Sequence, residues 1–190
     1  MIRIALTGAI GSGKSFISNL FGFPVFDADK SVANIYKKNK KIYLKLKNKL
    51  PKYFHKFPIS KKELIRAILE NKKNIRIISS IIHPAVRKDL INFLRKYKKS
   101  KAVVLDIPLY LENKLNKKKD IIIFIQSNAI EVNKRLKKRE NYNKFILQKL
   151  KNLQFSQYLK RKKSKYVIKN DFKKNSTRKQ VKDIIKEILL

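Results

Sequence analysis

Glycine is nearly confined to one place in this 190-residue chain. It occurs at Gly8, Gly11, Gly13 and Gly22, and the 168 residues from Phe23 onward contain none. Three of the four fall within Gly8-Ala9-Ile10-Gly11-Ser12-Gly13-Lys14-Ser15, between an apolar run, Ile2–Leu6, and a helical pattern from Phe16 to Phe21. Strand, Gly-x-x-x-x-Gly-Lys-Ser and helix, in that order, are the requirements of a phosphate-binding loop. Its backbone N–H groups turn inward to form a nest for phosphate oxygens, aided by the positive end of the following helix. Lys14 is expected to reach the β- and γ-phosphates of a nucleotide, and Ser15 to ligate the Mg²⁺ that accompanies them. An ordinary glycine-rich turn is the alternative. A chain that makes its other turns without glycine argues for the nucleotide site.

The length suits one compact domain with room for an inserted subdomain or lid. A 43% hydrophobic content permits a real core. With no cysteine, disulfides, thiolate metal sites and cysteine nucleophiles are excluded, which fits a reducing compartment. The chain shows no secretory leader pattern and no apolar run of the roughly 18–20 residues a membrane span needs. The expectation is a cytoplasmic protein with no membrane partner. The formal charge of +36 has two readings. It could be an RNA-binding surface. It could equally reflect a genome bias toward A/T-rich codons, which enriches lysine, asparagine and isoleucine together. Apart from Lys14, the lysines are spread from Lys30 to Lys186 instead of forming an arm, so non-specific nucleic-acid binding at most is expected.

In chain order, Pro24-Val25-Phe26 reads as a short second strand ending in Asp27-Ala28-Asp29, acids at a strand's carboxyl end where α/β sheets collect ligands. The alternative is that Asp29 caps a helix starting near Ser31; both readings can hold for the pair, one carboxylate capping and the other facing an acceptor substrate. From Ser31 to Lys98 only helices are expected. Ser60-Lys61-Lys62-Glu63 has capping-box spacing, and His83-Pro84 reads as the entry to a helix carrying Val86, Leu90, Phe93, Leu94 and Tyr97. His83 is either a structural polar contact or a group presented to substrate at that helix start. Tyr36, Tyr43, Tyr53 and Phe54 could line a pocket or fill a core.

Ala102-Val103-Val104-Leu105-Asp106 is a third strand closing on an acid, the pattern in which the carboxylate holds or orders water around Mg²⁺. Pro108 and Glu112 follow on the same side of the sheet. Ile121–Ile125 carries no charge and should be internal to the sheet. Asn128–Arg139 reads as a helix capped by Asn128, with Arg135 and Arg139 on one face. They are either surface decoration or phosphate ligands from a lid that Lys144–Lys163 continues as one helix. Tyr166-Val167-Ile168 is a fifth strand, and Val181, Ile184, Ile185, Ile188 and Leu189 mark a closing amphipathic helix.

A signalling GTPase is excluded, because no glycine remains for Asp-x-x-Gly and Asn116–Asp120 misses the guanine motif by one residue. A small kinase acting on a small acceptor remains. At this point the chain resembles the dephospho-CoA kinase family, the enzymes of the last step of coenzyme A synthesis. The matching blocks are Leu6–Ser15, Val25–Asp29, Lys61–Leu69, Ile82-His83-Pro84, Leu105–Glu112, Arg135–Glu140, Gln154 and Val167–Asn170.

The resemblance implies an α/β fold: a P-loop kinase core with a five-stranded parallel sheet, a helical substrate-binding insertion and a lid. The core would comprise residues 1–29, 99–136 and 164–190, the CoA-binding insertion 30–98 and the lid 137–163. ATP-dependent phosphorylation of the ribose 3′-hydroxyl of dephospho-CoA is implied, with ATP and dephospho-CoA as small-molecule partners and Mg²⁺ as cofactor. Asp29, Lys14 and Arg139 would be catalytic. Gly8, Gly11, Ser12, Gly13, Lys14, Ser15, Phe16, Arg135 and Asn170 would bind ATP. Asp27, Asp29, His83, Pro108 and Glu112 would face the acceptor, and Ser15 and Asp106 the metal. Ala9, Phe16, a shortened loop before Pro24, and Ser164-Lys165 depart from the usual family pattern. A kinase for a nucleoside monophosphate or shikimate, or a basic RNA-binding ATPase, are the competing readings.

Overall fold

A computed structural model describes residues 1–139 and 142–190, except for the side chain of Lys72. The chain divides into two compact units, residues 1–27 with 97–190 and residues 28–96.

The first unit is a parallel sheet of β1 (Ile2–Gly8), β2 (Val25–Asp27), β3 (Ala102–Asp106), β4 (Ile121–Ser127) and β5 (Tyr166–Asn170), ordered β2-β3-β1-β4-β5. Helices α1 (Lys14–Leu20), α6 (Ala129–Lys137), α7 (Lys144–Lys151), α8 (Gln157–Lys162) and α9 (Lys174–Leu189) belong to this unit. Every residue of β3 is buried, as a strand covered on both faces must be. One core joins Ile4, Leu6, Val104, Ile123 and Ile125 of the sheet to Ile17 of α1 and Val181, Ile184 and Ile188 of α9. The β4 strand is internal, as its lack of charge predicts, and Leu189 of the closing helix faces outward at 43% exposure.

The second unit is all helical: α2 (Ala28–Lys38), α3 (Lys40–Lys49), α4 (Lys61–Glu70) and α5 (Lys72–Lys96). The expected capping box is formed. Glu63 N–H donates to Ser60 Oγ at 3.2 Å, and Ser60 N–H donates to Glu63 Oε2 at 2.9 Å. Tyr43, Tyr53 and Phe54 are core residues, and Tyr36 lines a cleft.

Four sequence expectations are corrected. Pro84 does not open a helix but lies inside the 25-residue α5. The apolar stripe runs through it, with Ile78 and Ile82 buried before the proline and Ala85 and Val86 packed after it, so burial outweighs the missing N–H bond. Asp29 is not an N-cap: α2 already starts at Ala28, which puts Asp29 in its first turn, beside the positive end of the helix dipole. Arg139 lies beyond α6, whose C-cap is Lys138, and therefore does not share a helix face with Arg135. Finally, Lys144–Lys163 is two helices, because Ser156 caps α8 by accepting the Leu159 N–H at 3.2 Å.

Candidate active site

The phosphate loop is held from beneath by the ends of two neighbouring strands. Ser127, closing β4, donates its hydroxyl to the Ser12 carbonyl at 3.0 Å, and Asn170, closing β5, donates its amide to the same oxygen at 2.8 Å. Asn170 is itself fixed, its Oδ1 accepting the Phe172 N–H at 2.9 Å and the Thr177 hydroxyl at 3.3 Å. Gly13 makes this contact possible. Its φ is +88°, and a Cβ there would lie 2.5 Å from Asn170 Nδ2. Ala9, by contrast, adopts a negative φ, so alanine in place of a further glycine strains nothing.

A cleft of about 570 Å³ collects Gly11, Gly13, Phe16, Arg135, Arg139 and Asn170 along one side of the loop. Five of the nine expected ATP ligands, Gly11, Gly13, Phe16, Arg135 and Asn170, are thus neighbours, and the expected catalytic Arg139 joins them from the segment after α6. The Arg135 guanidinium lies 4.1 Å from the centre of the Phe172 ring, a cation–π stack. Phe172, at φ +64°, had no distinguishing sequence signal, nor did Lys138 and Lys174, which complete the cleft wall.

Lys14 is buried and donates to the carbonyls of Ala9 at 2.8 Å and Gly8 at 3.3 Å. Ser15 is exposed at the start of α1. Asp27 and Asp106 end neighbouring strands in direct register, and Asp106 is buried. No cluster of three acidic or imidazole groups exists among the described residues. One hydroxyl and one or two carboxylates fit Mg²⁺, which keeps several waters and takes substrate phosphate oxygens. Pro108 lies in the turn after β3. Glu112 is in the following turn, its carboxylate buried. Its Oε1 accepts the Phe155 N–H at 2.9 Å and pairs with Lys160 Nζ at 3.1 Å.

Asp29 and His83 belong to the helical unit. Asp29 lines a cleft of about 730 Å³ there with Val32, Tyr36, Pro58, Ile59 and Leu64. Burial pushes the Tyr36 hydroxyl up to about 12, so it remains a neutral hydrogen-bonding group at physiological pH. His83 sits half-buried inside α5, where burial and then the nearby Arg87 charge lower its pKa, favouring neutral imidazole. Glu140 of the expected lid block lies outside the described residues.

The family model described as Dephospho-CoA kinase matches residues 2–177. The chain belongs to the dephospho-CoA kinase family. Among curated members of the family, a dephospho-CoA kinase of Wolbachia pipientis wMel is 36% identical over 98% of both chains, and one of Bartonella henselae is 29% identical over 98% of this chain and 97% of its own. The family fold is equally evident in solved structures. That of TT1252 from Thermus thermophilus superposes with a TM-score of 0.82 at 24% identity, covering 100% of this chain and 98% of the other. A dephospho-CoA kinase from Campylobacter jejuni gives 0.66 at 24% identity, with 98% and 96% covered.

Proposed function

We propose that this family member transfers the γ-phosphoryl group of ATP to the ribose 3′-hydroxyl of 3′-dephospho-CoA, releasing coenzyme A and ADP. The observation that carries the reading is the braced Gly8–Ser15 loop opening onto a cleft that also holds Arg135, Arg139 and Asn170.

The loop's N–H groups and Lys14 bind the donor phosphates, while Arg135 and Arg139 neutralise charge on the side of the transferring group. The purine end of ATP lies toward Asn170 and Phe16. Phosphoryl transfer passes through a loose transition state, so charge placement and in-line alignment supply most of the rate. Lys14 already donates to two carbonyl oxygens, so a phosphate oxygen replaces one acceptor with a stronger one. Ser15 and Asp106 would hold Mg²⁺, which would supply charge neutralisation to the donor phosphates. Asp29 orients the 3′-hydroxyl and accepts its proton. The apolar wall of its cleft and the neutral Tyr36 hydroxyl suit an acceptor with both polar and apolar parts. Asp27, His83 and Pro108 are proposed to contact that acceptor.

The test is ADP release with Mg-ATP and a panel of acceptors. Turnover with dephospho-CoA well above that with nucleoside monophosphates or shikimate is expected. A preference for either of those would refute the assignment.

A further inference from the structure

Lys160, on α8, is fully buried with 0% of its side chain exposed, an extreme position for a lysine in a chain with 49 basic residues. Its ammonium has two acceptors. One is Glu112 Oε1 at 3.1 Å, and the other is the Gly8 carbonyl at 3.3 Å. That carbonyl begins the phosphate loop and is the oxygen that Lys14 Nζ also reaches. Three segments therefore meet at one buried charge pair: the end of β1, the turn carrying Glu112, and the Phe155–Lys160 stretch whose first N–H also binds Glu112.

Stability does not explain this arrangement. Glu112 Oε2 is buried with no hydrogen-bond partner among the described residues. A half-satisfied buried ion pair is no more stable than apolar side chains of similar volume, and is often less so. Burial pushes the Lys160 pKa below the ordinary lysine value, and the charge and hydrogen bond of Glu112 oppose that shift in part.

We propose that Lys160 is a positioning residue for phosphoryl transfer: by donating to the Gly8 carbonyl it anchors the mouth of the phosphate loop and competes there with Lys14, releasing the Lys14 ammonium to the donor phosphates. Glu112 serves by holding Lys160 charged and aimed. The inference rests on the kinase reading above. Lys160 has no exposed surface and touches no substrate. Its effect passes through one shared oxygen.

The test is a two-site cycle of E112Q, K160M and the double variant K160M/E112Q, with thermal midpoint, directly measured ATP dissociation constant, and kcat with dephospho-CoA. E112Q keeps an amide oxygen for the Phe155 N–H and for Lys160 but gives up the charge that helps hold the ammonium on Gly8, so its kcat should fall by roughly three- to fivefold, less than that of K160M. The double variant removes both charges. It should melt above K160M, which strands a buried carboxylate, yet its kcat should stay as low as that of K160M, roughly ten- to a hundredfold below the parent. ATP affinity should remain within about threefold throughout, because the loop N–H groups are intact and the lost interaction acts in the transition state. Recovery of kcat in the double variant along with its stability would show a merely structural pair and overturn the proposal. If K160M does not fold, the double variant against E112Q carries the test, since both lack the ion pair and only one lacks the ammonium. Equal kcat values would then overturn it. Turnover of the parent with dephospho-CoA separates a failure of the kinase reading from a failure of this one.

Discussion

Lys14 and Lys160 place their ammonium groups on one acceptor, the Gly8 carbonyl oxygen, each at 3.3 Å. The two lysines are separated by 146 positions in sequence and meet because β1 ends beside α8. Lys14 has the Ala9 carbonyl as a second acceptor and Lys160 has the Glu112 carboxylate, so one ammonium rests on neutral backbone oxygens and the other on a buried charge. A phosphate oxygen is a stronger acceptor than the carbonyls that hold Lys14.

Removing the Lys14 charge should affect chemistry most. Lys14→Ala is expected to lower kcat by on the order of 10²–10³, the loss seen when a preorganised charge-stabilising donor is deleted. Steady-state ADP release measures it. A loss below fivefold would exclude Lys14 from the transition state.

Gly13→Ala tests the brace between the loop and β5. The new Cβ meets Asn170 Nδ2 at 2.5 Å in a backbone held at φ +88°. The combined strain should cost on the order of 1–3 kcal/mol of stability and displace Asn170 from the Ser12 carbonyl. Thermal unfolding should show the loss, and calorimetric titration should show weakened ATP binding.

For the acceptor side, Asp29→Asn should reduce turnover while leaving the ATP dissociation constant near that of the parent. The change keeps the size of the side chain and its hydrogen-bonding oxygen but removes the base. Unchanged turnover would remove Asp29 from the mechanism.

The helical unit carries an acid-sensitive contact. Glu70 accepts from Lys52 at 2.9 Å, Arg66 at 2.9 Å and Tyr53 at 3.1 Å, and these hydrogen bonds, Lys52 first, hold its carboxyl at about 2 against an ordinary 4.5. A folded-state value below the unfolded one gives stability that is complete above pH 4.5 and lost as pH falls toward 2. Glu70→Gln should therefore flatten the dependence of the thermal midpoint on pH between 5 and roughly 2 and leave its shape near neutrality unchanged. Equal acid sensitivity in the two proteins would contradict the assignment.

Local pattern was informative wherever a residue's neighbours in sequence are also its neighbours in space. The Ser60 and Asn128 caps, the apolar run of β3 and the phosphate loop all depend on contacts within four or five positions, and all were legible. Pro84 misled because helix-start preference is worth little against an apolar face that packs along all of α5. Arg135 and Arg139 illustrate the converse. Their four-residue spacing suggested one helix face, but α6 ends between them, and they share a cleft through the path of the chain.

The sequence by itself determined the strand–loop–helix at the amino terminus, because rare glycines and apolar runs are sparse signals that few backbones satisfy, and the blocks it shares with the dephospho-CoA kinase family implied the parallel α/β class. Only the tertiary structure decided which lysine is exceptional. Lys160 has the same side chain as its many exposed counterparts, and what distinguishes it is desolvation between Glu112 and Gly8. Burial is a property of surroundings assembled from distant segments, and no local pattern in the chain encodes it.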